Sequence, residues 1–205
     1  MSDVAPALTL PAGDRDREAL ARCRPVPAVP RGHERSVVRK PWGHEFLCYR
    51  GPRLAAWVLT LTPGARTSLH CHRRKRTTLC VVEGELRLEG LGDNYTLRPG
   101  DVAVVEPGAF HRLSAGSDGA RVVEIEDPVD KEDLVRIEDD HGRVGTPYEG
   151  EDATVRVDLD RFGFFEVGPE TTPVRLLDDE AHDADGAALV IPCSAGRLAV
   201  FADGR

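Results

Sequence analysis

From Trp42 onward the chain alternates short apolar stretches with polar punctuation. HEFLCYR, LAAWVLTL, TSLHCH and TTLCVVEGELRLEG come first; NYTLR, VAVVE, FHRLSA and ARVVEIE follow. Between them lie TPG, GLGD, RPGD, EPG and GSDG, rich in the glycine, proline and aspartate that tight turns require. Many short strands at close spacing, with no long helical period between them, predict an all-β antiparallel sandwich or barrel. After Glu126 the stretch DPVDKEDLVRIEDDHGRVGTPYEG is polar and turn-rich, and DKEDLVRIEDD is its expected short helix. Beyond Gly150, TVRVDL, FFEV and AALVIP predict further short strands among acidic loops.

The first 35 residues have a different texture. Proline recurs at Pro25, Pro27 and Pro30, which denies that stretch both a helix and a central strand. Residues 1–35 are therefore expected to form an arm, disordered or extended on a neighbour, with room for a short helix over Asp14–Arg22. Residues 36–150 form the β domain, and residues 151–205 an extension packed on it or extending it.

Composition narrows the function classes. The net charge of −8 argues against nucleic acid as the main partner, because phosphate contacts need a basic face. No apolar run approaches the ~18 residues of a membrane helix, and MSDVAPALTLPAGDRDREAL lacks the basic and apolar regions of a secretory signal. The five cysteines form no CxxC pair, and their odd number rules out a complete disulfide framework. A cytoplasmic chain with reduced thiols is the expectation. Uncovered strand edges and the proline-rich arm predict a homodimer.

Candidate chemistry concentrates in GARTSLHCHRRKRTTLCVVEG. His70 and His72 stand at i and i+2, so on a strand both imidazoles project to one face, while Cys71 points to the other. His111, after PGAF, lies on a separate strand that a folding sheet can bring opposite. Three neutral imidazoles on rigid strands suit one divalent transition metal and leave positions open for water or substrate. Ligand type alone does not choose among Fe, Zn, Ni and Mn. Arg73, Arg74, Lys75 and Arg76 follow at the expected turn. They are either a solvated loop or, as a group, an attraction for an anion, with Arg74 and Arg76 at the rim. Arg66 and Lys40 are weaker candidates for the same task.

These two stretches resemble the paired motifs of the cupin superfamily, whose fold is the jelly roll, or double-stranded β-helix. KPWGHE, TPGARTSLHCH, RPGD, PGAFHRL and VVEIEDPVDKEDLVRIEDDHGR further resemble the cupin domain of type II mannose-6-phosphate isomerases. They also resemble stand-alone isomerase-like cupins encoded among nucleotide-sugar and surface-polysaccharide genes. Cupins usually supply a glutamate ligand five residues after the second histidine, where this chain has Thr77. In the isomerase relatives the position of His70 is commonly glutamine. Glu106 replaces the first proline of the second motif, and its final asparagine is lost near Ala115. The resemblance thus implies a three-histidine site, which is also similar to the iron centres of thiol and diketone dioxygenases. It further implies an arginine with a role in isomerase activity, carried here to Arg143, although His141 replaces the usual tyrosine.

His44 and Glu45 either line the pocket or belong to a structural turn. Glu124 and Glu126 share a face, internal as a base or ligand support, or external and salt-bridged. The leading expectation is a metal-dependent isomerase or epimerase of a phosphorylated sugar or nucleotide sugar. In it Glu124 and Arg143 are catalytic, and Arg66, Arg74, Arg76 and His44 hold a small phosphorylated or carboxylated substrate. The alternatives are a three-histidine Fe(II) dioxygenase and a non-catalytic cupin that binds a sugar or small acid.

Overall fold

A computed structural model describes residues 7–24, 36–50, 54–156, 174–177, 189–193 and 196–200. The proline-rich stretch 25–35 and the expected strand FFEV lie outside the described residues.

Two long strands form the spine. β6 (Arg76–Gly90) and β9 (His111–Asp127) run antiparallel along nearly their whole length, in register from Arg76 opposite Asp127 to Gly90 opposite His111. The GSDG stretch, expected to separate two strands, is instead an irregularity inside β9. There β9 bulges, Gly116 to Gly119 standing against Glu85 of β6, and the backbones come so close that a Cβ on Gly84 would lie 2.1 Å from the Gly119 carbonyl oxygen. Gly84 also holds φ +75°, a conformation that only glycine adopts without strain.

On one flank of β9 lie β4 (Ala55–Leu61), β3 (Gly43–Arg50), β2 (Ser36–Lys40) and β11 (Thr154–Arg156); on the other flank β6 pairs β8 (Val102–Val105). β1 (Leu8–Leu10) adds to β8 in parallel, β7 (Asn94–Leu97) hairpins onto β6, and β5 (Leu69–Cys71) joins β9 to β10 (Val135–Glu138). The hydrogen-bonded path runs from β1 to β11 without closing on itself. This is the double-stranded β-helix, or jelly roll. A separate three-stranded sheet holds β12 (Val174–Leu177), β14 (Gly196–Val200) and β13 (Leu189–Cys193), in that order.

Alternation fixes which side chains face inward. Leu59 and Leu61 of β4, Leu79, Val81, Leu86 and Leu88 of β6 and Leu113 of β9 fill the interior, none more than 2% exposed. Each such side chain stabilises the fold by roughly 1.5–3 kcal/mol. Beyond the GSDG irregularity the parity is reset: Val122 joins the interior, Glu124 and Glu126 follow it inward, and Ile125 falls in the outer cluster with Leu54, Ala56 and Cys80.

One expectation is corrected. LVRIE forms strand β10 rather than a helix, because Val135 and Ile137 alternate with Arg136 and pack against Leu69, Cys71 and Phe110. The short helix allowed for over Asp14–Arg22 is present as α1 (Asp14–Arg22), which lays Ala19 and Leu20 on that same cluster, and β1 before it pairs with β8.

Asp16 ties the helix down. One carboxylate oxygen accepts the Gly13 N–H at 2.8 Å, the acidic half of a capping box, and the other accepts the Phe110 N–H at 2.8 Å. Asp16→Ala removes the cap and leaves a buried N–H unmatched. The expected loss is about 1–3 kcal/mol, read as a lower denaturant midpoint with unchanged slope. A midpoint equal to the parent's would show that α1 is not held through Asp16.

Candidate metal centre

β5 is only three residues long, and its alternation positions the site. Leu69 and Cys71 point outward into the cluster beneath α1, so His70 and His72 point inward. His70 pairs with His111 of β9 on one side and Arg136 of β10 on the other. The three imidazole centroids lie 5.1 Å (His70–His72), 4.4 Å (His70–His111) and 5.6 Å (His72–His111) apart. One ring nitrogen from each lies within 4.8 Å of the others.

The opposite ring nitrogens are already engaged. Nδ1 of His70 donates to the Ser68 carbonyl at 2.9 Å, Nδ1 of His111 to the Ala109 carbonyl at 3.1 Å, and Nδ1 of His72 to the Asp133 carbonyl. That pattern selects the Nδ1–H tautomer and leaves three Nε2 lone pairs as donors. Burial pushes the His111 imidazole down to about 4, and burial with neighbouring positive charge holds His70 and His72 well below the usual histidine value. All three are neutral at pH 7 and competent as ligands. The set fits one divalent transition metal.

A buried ionic cluster shares this cavity. Lys75 reaches Glu126 at 3.2 Å, and Lys131 reaches Glu126 at 2.7 Å, Glu45 at 3.2 Å and Glu124 at 3.7 Å. The Lys131 ammonium also lies 3.9 Å from the Trp57 ring centroid. Burial would raise the Glu126 carboxyl, but Lys131 and Lys75 outweigh it and hold Glu126 ionised. Glu124 is left less compensated: burial, with the adjacent Glu126 charge, raises it. Lys40 pairs with Glu45 at 3.5 Å and with Glu149, and the Tyr148 hydroxyl donates to Glu45.

The expected site residues divide sharply. His70, His72 and His111 converge, and Glu124 lines the same cavity, not an external face. The expected rim arginines do not join them. Arg74 is paired with Asp130 at 2.5 Å, Arg76 with Glu106 at 3.0 Å and Arg66 with Asp140 at 2.5 Å, each largely outward. Of the basic run it is Lys75 that turns in, only 1% exposed. His44 is on the outer side of β3, where burial and Arg121 lower its imidazole, and Glu45 takes the cavity side. Arg143 lines the cavity, but its Nε and Nη2 are held by Asp139 and its Nη1 by Glu149 at 2.6 Å.

Thr77 is fully buried, shares the inward parity of Leu79 and Val81, and its hydroxyl has no partner among the described residues. No carboxylate ligand stands there. Several contributors escaped the sequence reading. Lys131 and Glu149 sit in loops without periodicity. Asp133 accepts the backbone N–H groups of Arg73, Arg74 and Lys75 at 2.9, 2.7 and 3.1 Å and so shapes the turn after His72. A carboxylate beside three consecutive amides leaves no mark in sequence spacing.

The neutral burial of these imidazoles has a pH consequence for metal-free protein. Unfolded histidines titrate near 6.5 and the folded ones lower, so between those values the unfolded chain binds more protons. Stability of chelator-treated protein should therefore fall as pH drops from about 6.5 toward 4. Glu45 and Asp139, held down to about 2, act at lower pH. Melting temperatures measured from pH 7.5 to 4 test this; a flat profile across that range would mean the imidazoles are not buried neutral.

Residues 57–126 match the family described as cupin domain, a span that includes all three histidines. The chain is 26% identical over 113 residues to the alginate biosynthesis protein AlgA of Pseudomonas aeruginosa, covering 54% of this chain and 24% of that protein. AlgA of Pseudomonas putida is 27% identical over 115 residues, covering 55% and 24%. The chain thus spans about a quarter of the length of these curated relatives. Among solved structures, KdgF from Halomonas sp. is 25% identical with a TM-score of 0.43, covering 44% of this chain and 84% of that one. The matched span, a jelly roll whose strands carry three inward imidazoles, is a cupin domain.

Proposed function

We propose that this cupin is a metal-dependent isomerase or epimerase of a small anionic sugar derivative, a phosphorylated sugar or nucleotide sugar. The observation that carries the reading is the meeting, in one cavity, of three Nε2 donors and a carboxyl, Glu124, that is raised by burial. Held by His70, His72 and His111, a divalent transition metal would polarise a carbonyl and its neighbouring hydroxyl. Glu124 then moves the proton between adjacent carbons. A raised carboxyl is suited to both halves of that task, since it holds an accepted proton more firmly than an ordinary carboxylate and can return it. Lys131, fixed between Glu45, Glu124 and Glu126, orients the Glu124 carboxylate and stabilises its charged form. The similarity to proteins named for alginate biosynthesis supports a sugar precursor as the substrate class.

One observation favours a second reading. With Thr77 where cupins usually place glutamate, the donor set is three neutral imidazoles, and that set equally suits a three-histidine Fe(II) dioxygenase.

Protein purified without chelators is expected to retain about one transition metal per chain, and His72→Ala to lose it. Incubated in D₂O with a panel of aldose and ketose phosphates, the parent should introduce deuterium at the carbon beside the carbonyl. Glu124→Gln should lower that rate by about 10²–10⁴-fold with metal content unchanged. Oxygen consumption on iron loading, without deuterium incorporation, would replace the isomerase by the dioxygenase. Saturable, metal-dependent binding with the sugar recovered unchanged would leave a binding protein.

A further inference from the structure

Five buried or paired arginines show how this molecule uses the guanidinium fork. The Nε–H and Nη2–H edge presents two parallel donors, the geometry that grips a carboxylate or phosphate. Arg66 spends that edge on Asp140 at 2.5 and 2.8 Å, and Arg76 on Glu106 at 3.1 and 3.0 Å. Arg143 spends it on Asp139, with Nη2 at 2.6 Å, and Arg112 divides it between the Thr67 carbonyl at 3.2 Å and Glu138 at 3.1 Å. Arg136 differs. Its Nε is buried and has no partner among the described residues, although the side chain is only 4% exposed. Its Nη2 reaches Glu149 only at 3.4 Å, and the same carboxylate has closer partners in Arg143, at 2.6 Å, and Lys40.

The guanidinium is nonetheless fixed. Nη1 donates to the Thr146 and Pro147 carbonyls at 3.0 and 3.1 Å, so the occupied end faces the loop and the fork edge is left over. Arg136 lines the metal cavity, and on β10 it stands directly opposite His70 of β5. Directly opposed residues of an antiparallel pair project to the same face. The bulge that follows at Ile137 re-aims the strand immediately after this pair. A buried donor left unmatched costs about 1–3 kcal/mol unless a ligand supplies its acceptor.

We propose that the Nε/Nη2 edge of Arg136 is the oxyanion subsite of the metal cavity, gripping the carboxylate or phosphate of the substrate beside His70. This rests on the reading of the cavity as a substrate site. The anion is held deep, next to the imidazoles, and not at the rim where Arg74 and Arg76 lie. The substrate is therefore small enough for its anionic group and its reacting carbon to share one cavity.

Calorimetric titration of the as-purified full chain, and of chelator-treated chain, with inorganic phosphate and separately with acetate tests this. Saturable binding of either anion is expected, and which one binds identifies the group the subsite takes. Arg136→Lys keeps the charge and removes the fork, and should weaken that binding at least about tenfold while melting temperature and metal content stay near the parent's. Glu149→Gln removes the competing carboxylate charge from Nη2 and should tighten it, whereas Arg74→Gln should leave it unchanged. No saturable binding of either anion, undiminished binding in Arg136→Lys, or no tightening in Glu149→Gln overturns the proposal. If Arg136→Lys does not fold, the Glu149→Gln result decides. Because binding is read without turnover and also without metal, these outcomes are separate from the metal and deuterium results.

Discussion

Three backbone carbonyls, those of Ser68, Ala109 and Asp133, decide what the histidines can do. Each takes the Nδ1–H of one imidazole, and each belongs to a residue whose position the sheet or an adjoining turn has already fixed. A histidine free to choose its tautomer would present a lone pair to the cavity only part of the time, and burial alone does not orient it. With Nδ1 committed, desolvation then keeps the rings neutral. Orientation and protonation state are thus set by separate causes, and both favour a cation in the centre.

The second consequence is electrostatic. Neutral ligands leave a bound dication's charge uncompensated, and the cavity wall supplies Lys75, Lys131 and Lys40 facing Glu45, Glu124 and Glu126. Buried ions are costly unless paired, and removing one partner typically costs several kcal/mol. This wall is therefore a rigid, closely interlocked unit. Two groups beside it are informative: Glu124 with its raised carboxyl and Arg136, whose Nε has no partner among the described residues, both border the open space.

Much of this was legible from period-two alternation. The strand-rich core, the inward pair His70 and His72, the outward Cys71 and the partnership with His111 all follow from it. The basic run was misjudged because a turn of two residues at Arg73 and Arg74 resets the parity. After it, Lys75 and Thr77 face inward, while Arg74 and Arg76 face out to Asp130 and Glu106. LVRIE read as helix because a four-residue strand flanked by charges has no period long enough to distinguish the two. Arg143 drew attention through the relatives' motif, yet its donors are committed to Asp139 and Glu149; hydrogen-bond satisfaction is a property of coordinates, not of spacing. Asp16 was equally hidden, since its value comes from reaching Phe110, 94 residues away.

That last contact bears on where the working unit begins and ends. The stretch matching the family, residues 57–126, contains every imidazole of the centre. It contains neither the helix that backs β5, nor Asp133 whose carbonyl orients His72, nor the Lys131 and Arg136 side chains that complete the cavity. A minimal fragment cut to the shared motif would carry the ligands without the frame that aims them, and transplanting the motif alone into another jelly roll would carry over the donors but not their alignment.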